Sequence, residues 1–268
     1  MMIREWLHAS SAKLRNIGIV SAYLDAEIIL AHTLRRNRTW LHAHDHEDIP
    51  ANRLDIANAR LDLRLNRVPI AYIIGHKEFY GRHFHVSPSV LIPRPESETI
   101  IDLLKECYRP AHKQLVDVGC GSGVLGITAK LELPKLSVTL CDISRHALTV
   151  TSKNANGHKA DVQILESDLL DSYPLQADII VANLPYVDET WERSPETAHE
   201  PSLALFADEN GLELIYKLIN QTTEKLSVGG ILLLEADPVQ HKLIIKHAES
   251  RGLTPIEIRD YALVLGKN

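Results

Sequence analysis

The chain has 268 residues, 45% apolar and 24% charged, an ordinary globular composition able to bury a sizeable core in one large domain or two. No apolar run approaches the length needed to cross a bilayer and the start "MMIREWLHAS" is not signal-like, so we expect a cytoplasmic protein with no membrane partner; Cys107, Cys120 and Cys141 share no CxxC spacing, which argues against a disulfide framework or a zinc cage. Of the 29 Lys/Arg and 35 Asp/Glu, residues 1–95 hold 13 and 9, leaving 16 and 26 for an acidic remainder, and that sign argues against direct nucleic acid binding, in which phosphate neutralisation dominates.

In chain order, "IREWLHASSAKL", "SAYLDAEIILAHTL" and "ANRLDIANARLDLRLNR" repeat apolar residues at spacings of three and four, which predicts a helical domain over residues 1–66. Ser21 and the Pro50-Ala51-Asn52 segment are its internal helix starts. Residues 67–95 change to aromatic and β-branched residues followed by three prolines, which predicts a hairpin and a stiff linker. His42, His44 and His46 alternate in "LHAHDH" and His83 and His85 in "RHFHV"; without an accompanying carboxylate or cysteine set they read as a solvated loop and a strand face, with no metal expected.

From 96 to 268, apolar runs ("QLVDVG", "SVTLCD", "DVQILESD", "ADIIVAN", "GGILLLEA") alternate with helical patterns, and "PIEIRD" with "ALVLG" closes the chain. This is the pattern of a mainly parallel α/β sheet ending in an antiparallel pair. The loop "DVGCGSG" carries Asp117, Gly119, Cys120, Gly121, Ser122 and Gly123 after the first strand, where glycines let a ligand approach the backbone. Gly121, Gly123 and Gly126 match a dinucleotide pattern, yet Asp117, Asp142 and Asp168 place three carboxylates at successive strand ends, where a diphosphate would be repelled. S-adenosyl-L-methionine, cationic and without phosphate, fits better: Asp142 would grip the ribose diol and Asp168 the adenine amine, with Leu169 beside the base. S-adenosyl-L-homocysteine is then a product. After the fourth strand, Asn183, Leu184, Pro185 and Tyr186 would hold a planar, weakly nucleophilic nitrogen against the sulfonium methyl, Asn183 through its side-chain oxygen, the Leu184-Pro185 turn through backbone carbonyls and Tyr186 through its ring.

With these motifs in place, the chain resembles the HemK/PrmC family of peptide chain release factor glutamine methyltransferases over nearly its whole length. Besides "DVGCGSG" and "NLPY", the segments "DAEIIL", "PIAYIIGHKEFYG" and "VSPSVLIPRPESE" carry the resemblance. It implies a Rossmann-like methyltransferase domain behind a small helical recognition domain, and methylation of the glutamine amide in the Gly-Gly-Gln loop of bacterial release factors. The protein is expected to act as a monomer. The family motif has proline where Leu184 stands. Methylation of an adenine or guanine amine in nucleic acid uses the same tetrapeptide and is the alternative; a non-catalytic S-adenosylmethionine-binding protein is a third reading.

Overall fold

In the computed structural model, which describes residues 1–188 and 190–268, the chain divides into two units, 1–76 with 194–199 and 77–193 with 200–268. The first unit holds α1 (Ile3–Asn16), α2 (Ala22–Leu34), α3 (Arg38–Ala43), α4 (Ala51–Leu65) and α5 (Ile70–Ile74). The three-and-four spacing becomes one core in which Trp6, Leu7 and Leu14 meet Ile29 and Leu30 of α2 and Ala57 and Leu61 of α4. The Trp6 indole N–H donates to Asn58 Oδ1 at 2.8 Å, so the burial strands no donor.

The acids of "DAEIIL" are structural. Asp25 accepts from Arg64 Nε at 2.7 Å with both side chains 7% exposed, and Arg64 and Arg67 both reach Glu196 of the segment 194–199, at 3.1 and 3.3 Å. Burial works against the Glu196 charge, but Ser194, its own backbone amide, Arg67 and Arg64 hold its carboxyl down at about 2. Buried Glu27 takes Arg38 and His42 at 2.6 and 2.7 Å.

Two short helices depart from the sequence expectations. Part of the histidine loop is α3, because Asn37 Oδ1 accepts from Trp40 N at 2.8 Å and caps it. The helical unit runs to His76 rather than residue 66, because α5 adds a turn between Pro69 and Gly75, the latter at φ 78°. Five residues are too few to show a period.

After α5, β1 (His76–Phe79), whose residues from 77 on belong to the second unit, and β2 (Arg82–His85) form the hairpin, turned by Tyr80 and Gly81 at φ 51° and 71°, the geometry that matches strand twist. The proline-rich connector is pinned by Glu200, which accepts from Ile92 N at 3.0 Å and Arg94 Nη2 at 2.5 Å. There follow α6 (Glu98–Cys107), β3 (Gln114–Val118), α7 (Val124–Glu132), β4 (Ser137–Asp142), α8 (Arg145–His158), β5 (Gln163–Glu166), β6 (Ala177–Ala182), α9 (Asp208–Gly211), α10 (Glu213–Lys225), β7 (Leu226–Glu235), α11 (His241–Ser250), β8 (Leu253–Arg259) and β9 (Ala262–Lys267).

The sheet order is β5-β4-β3-β6-β7-β9-β8, with β3 to β7 parallel and β9 and β8 antiparallel. Alternate side chains of β6 enter opposite cores: Ile180 and Ala182 join Ile215 and Leu218 of α10 and Ile244 of α11, while Ile179 and Val181 join Ile101 and Leu104 of α6 and Ile127 of α7. Burial on both faces makes these strands unbroken apolar runs. The chain builds outward from β3 to β5, then returns to lay β6 on the other side of β3. That reversal opens a crevice at the carboxyl ends of the strands.

Candidate active site

A solvent-open cleft of about 860 Å³ occupies this crevice, lined by Gly119, Gly121, Asp142, Asp168, Leu169, Asn183, Leu184 and Pro185 among others. Its floor depends on two glycines. A Cβ at Gly119 would stand 2.8 Å from Leu184 Cδ2, and one at Gly126 would stand 2.0 Å from Leu140 Cδ2. The missing side chain at Gly126 lets α7 press against β3 and β4, and its N–H donates to Asp117 Oδ2 at 2.8 Å.

Asp117 is 1% exposed, and burial drives its carboxyl up to about 7, opposed by the Gly126 amide and reinforced by Asp142. Asp142 is aimed by backbone donors, Gly121 N on Oδ2 and Ser144 N on Oδ1, both at 2.8 Å; burial raises its pKa against those amides. Each oxygen keeps a lone pair for a ligand hydroxyl. Asp168 lies two residues past β5 and lines the cleft, with Oδ2 paired to Lys217 Nζ at 2.5 Å. Leu169 follows in the left-handed region at φ 48°. Cys120, Ser122, Asp117 and Ser97 line an adjoining pocket, and Asn183 lines both. Burial pushes the Cys120 thiol well above its usual range, so it packs rather than reacts.

At the shared corner, Asn183 Nδ2 donates to Ser97 Oγ at 3.0 Å, and Asn183 Oδ1 accepts no hydrogen bond from the described residues. The amide therefore presents an acceptor. Tyr186 OH donates to Glu235 Oε1 at 3.1 Å and its carbonyl accepts from Gln240 Nε2 at 2.9 Å. Tyr186 packs, partly buried, against the core cluster that holds Ile180 and Leu218 and is in the lining of neither pocket, where the sequence led us to expect its ring to face an acceptor. Leu184 is 3% exposed, its side chain in the same core. Glu235, at the end of β7, is also 3% exposed; burial raises its pKa, and Ser97, Tyr186 and Asn183 oppose the rise.

The structure thus brings the glycine loop, Asp117, Asp142, Asp168, Leu169 and Asn183 together. Ser97, Lys217, Glu235 and Gln240 were not singled out from the sequence. The signal for Glu235 was present: it ends an apolar strand, as Asp142 does.

Comparison with known proteins agrees with the fold. The family model for the PrmC N-terminal domain matches residues 5–75, and that for the methyltransferase small domain matches residues 96–200. The release factor glutamine methyltransferase of Koribacter versatilis is 37% identical over 253 residues, covering 89% of both chains. That of Deinococcus radiodurans is 35% identical, covering 89% of this chain and 87% of its own, and that of Chlamydia trachomatis serovar D is 33% identical, covering 97% and 91%. Among solved structures, a methyltransferase from Pyrococcus furiosus superposes with a TM-score of 0.54 at 17% identity, covering 81% of this chain and 97% of its own. The T. thermophilus 16S rRNA N2 G1207 methyltransferase, in complex with AdoMet and guanosine, also gives 0.54 at 18% identity, covering 72% and 49%. At these identities the structural likeness speaks to fold alone.

Proposed function

We propose, from the premise that the chain belongs to the release factor glutamine methyltransferase family, that it transfers a methyl group from S-adenosyl-L-methionine to the side-chain amide of the glutamine in the Gly-Gly-Gln loop of a peptide chain release factor. The observation that carries this reading is the Asn183 amide, fixed by Ser97 at the junction of two pockets with its oxygen unclaimed.

The donor set suits the cofactor. Asp117 is a buried carboxyl whose ionisation a ligand ammonium would restore, and Asp142 holds two oxygens ready for vicinal hydroxyls. When bound, the cofactor supplies a sulfonium-activated methyl group. Asp168 keeps Oδ1 for the adenine amine while Lys217 holds Oδ2, and Leu169 and Leu214 give apolar walls.

A carboxamide nitrogen is a poor nucleophile because its lone pair is delocalised into the carbonyl, so orientation must carry the catalysis. Asn183 Oδ1 accepts one N–H of the substrate amide, and the carbonyls of the Leu184-Pro185 turn accept the other. Fixing a reactant in this way contributes about 7 kcal/mol or more. The proton leaves to solvent after transfer. The amino-terminal part, with its basic excess, docks on the factor, and the protein acts as a monomer in the cytoplasm. No described helix is long and apolar enough to cross a membrane.

The test is mass spectrometry of a purified release factor incubated with the protein and S-adenosylmethionine, with ribosomal and transfer RNA assayed in parallel. A gain of one methyl group on the Gly-Gly-Gln peptide is expected; methylated RNA beside an unmodified factor overturns the reading.

A further inference from the structure

Residues 168–171, which begin with the acid assigned to the cofactor base, form a loop held from one side by a single helix. Asp168 Oδ2 takes Lys217 Nζ at 2.5 Å. Two residues on, Leu170 N donates to Gln221 Oε1 at 3.0 Å, and Gln221 Nε2 donates to Asp171 Oδ1 at 2.6 Å. Leu214, Lys217 and Gln221 are spaced by three and four, so they lie along one face of α10. Leu214 lines the same cleft as Asp168 and Leu169.

The loop needs such a hold. Leu169 stands at φ 48°, in the left-handed region that a leucine rarely adopts. Leu170 is fully buried, and its N–H has no other acceptor among the described residues. Gln221 answers that donor and ties Asp171 with the same amide group. Lys217 acts differently. It and Asp168 are each 42% exposed, and an ion pair so exposed contributes little to stability. Its effect is to settle which carboxylate oxygen is taken, because Asp168 Oδ1 accepts no hydrogen bond from the described residues.

We propose that Lys217 and Gln221 are positioning residues that make the base subsite selective for an exocyclic amine, by holding residues 168–171 so that Asp168 offers Oδ1 to the edge of the cofactor base. An ionised carboxylate only accepts. An adenine NH2 is therefore taken there, whereas hypoxanthine sets a carbonyl oxygen against a carboxylate oxygen and is refused. The proposal rests on the S-adenosylmethionine reading of the cleft.

The probes are S-adenosyl-L-homocysteine and S-inosyl-L-homocysteine, in which the amine is replaced by a carbonyl, each titrated calorimetrically into the full chain. The native protein should prefer the adenine compound by about a hundredfold or more, as for a site built around one hydrogen bond. Lys217→Met frees the carboxylate to rotate, and Gln221→Leu releases the loop beyond it. Each should cut the preference about fivefold, the scale of one hydrogen bond, and Lys217→Arg should restore most of it by pairing Oδ2 again. A variant that merely loosens the fold weakens both compounds and leaves their ratio unchanged. An unchanged ratio in Lys217→Met, or in Gln221→Leu that still binds the adenine compound, overturns the clamp while the cofactor reading stands. Should Gln221→Leu not fold, Lys217→Met, made in an exposed pair, decides. A native protein that binds both compounds alike overturns the assignment of Asp168 and the proposal with it; one that binds neither overturns the cofactor reading as well. Release factor methylation enters none of these titrations, so its absence would sink the acceptor assignment alone.

Discussion

Two side chains carry consequences that separate binding from chemistry. Asn183 Oδ1 accepts no hydrogen bond from the described residues, so Asn183→Ala removes an acceptor that matters when the substrate amide is aligned. The single-turnover rate should fall about a hundredfold, the scale seen when one positioned polar group is removed from a transition state, while the cofactor dissociation constant stays within about twofold. Single-turnover kinetics on a saturating release factor, beside calorimetry, would show it. Asp117 predicts a linkage to pH. Burial lifts its carboxyl to about 7, so near neutrality the ligand-free protein holds it about half protonated, and an arriving ammonium favours the ionised form. Affinity should thus rise as pH rises through about 7, and binding at pH 7 should release about half a proton, measured by calorimetry in buffers of different ionisation heat. Asp117→Asn should abolish the release; an unchanged proton count in that variant would assign it elsewhere.

At the scale of elements, the sequence showed its regular parts and hid its short ones. Strand ends carrying Asp142 and Asn183 were legible because runs of apolar residues stop at a polar one, and the parallel sheet followed from their alternation with helices. Helix α3 was not, since it rests on one side-chain cap from Asn37; nor was α5, a single turn. The packing of Tyr186 was hidden for a different reason. Whether a phenol faces a pocket or a neighbouring strand depends on Glu235 and Gln240, about fifty residues away, and no local pattern contains that. Gly126 was noticed for its motif, but its work is to let α7 close on β4. Gly126→Ala would drive a methyl group into Leu140 and lift the helix, at a cost of about 1 to 3 kcal/mol for overpacking. The melting temperature should drop and the cofactor should bind more weakly, because the glycine loop rides on that helix start. Thermal denaturation with and without cofactor measures both.

For the whole molecule, the division of charge predicts where a protein partner is met. Lys13 and Arg15 are exposed in the last turn of α1. Replacing both with glutamate reverses charge where basic side chains favour the helix terminus, a loss of roughly 0.3 to 1 kcal/mol each. The KM for the release factor should rise severalfold and fall less steeply with lowered salt, while cofactor affinity stays unchanged. An unaltered KM would place the docking surface elsewhere.

The six residues 194–199, which leave the catalytic unit, meet Arg64 and Arg67 through Glu196 and return, bear on how such a protein can be recombined. The helical unit is not a cassette bounded by one seam; its inheritance is split between the start of the chain and a stretch more than a hundred residues later. Chimeras between two relatives that exchange 1–76 alone should therefore melt lower than those that exchange 194–199 with it, because only the latter move Glu196 together with its arginines.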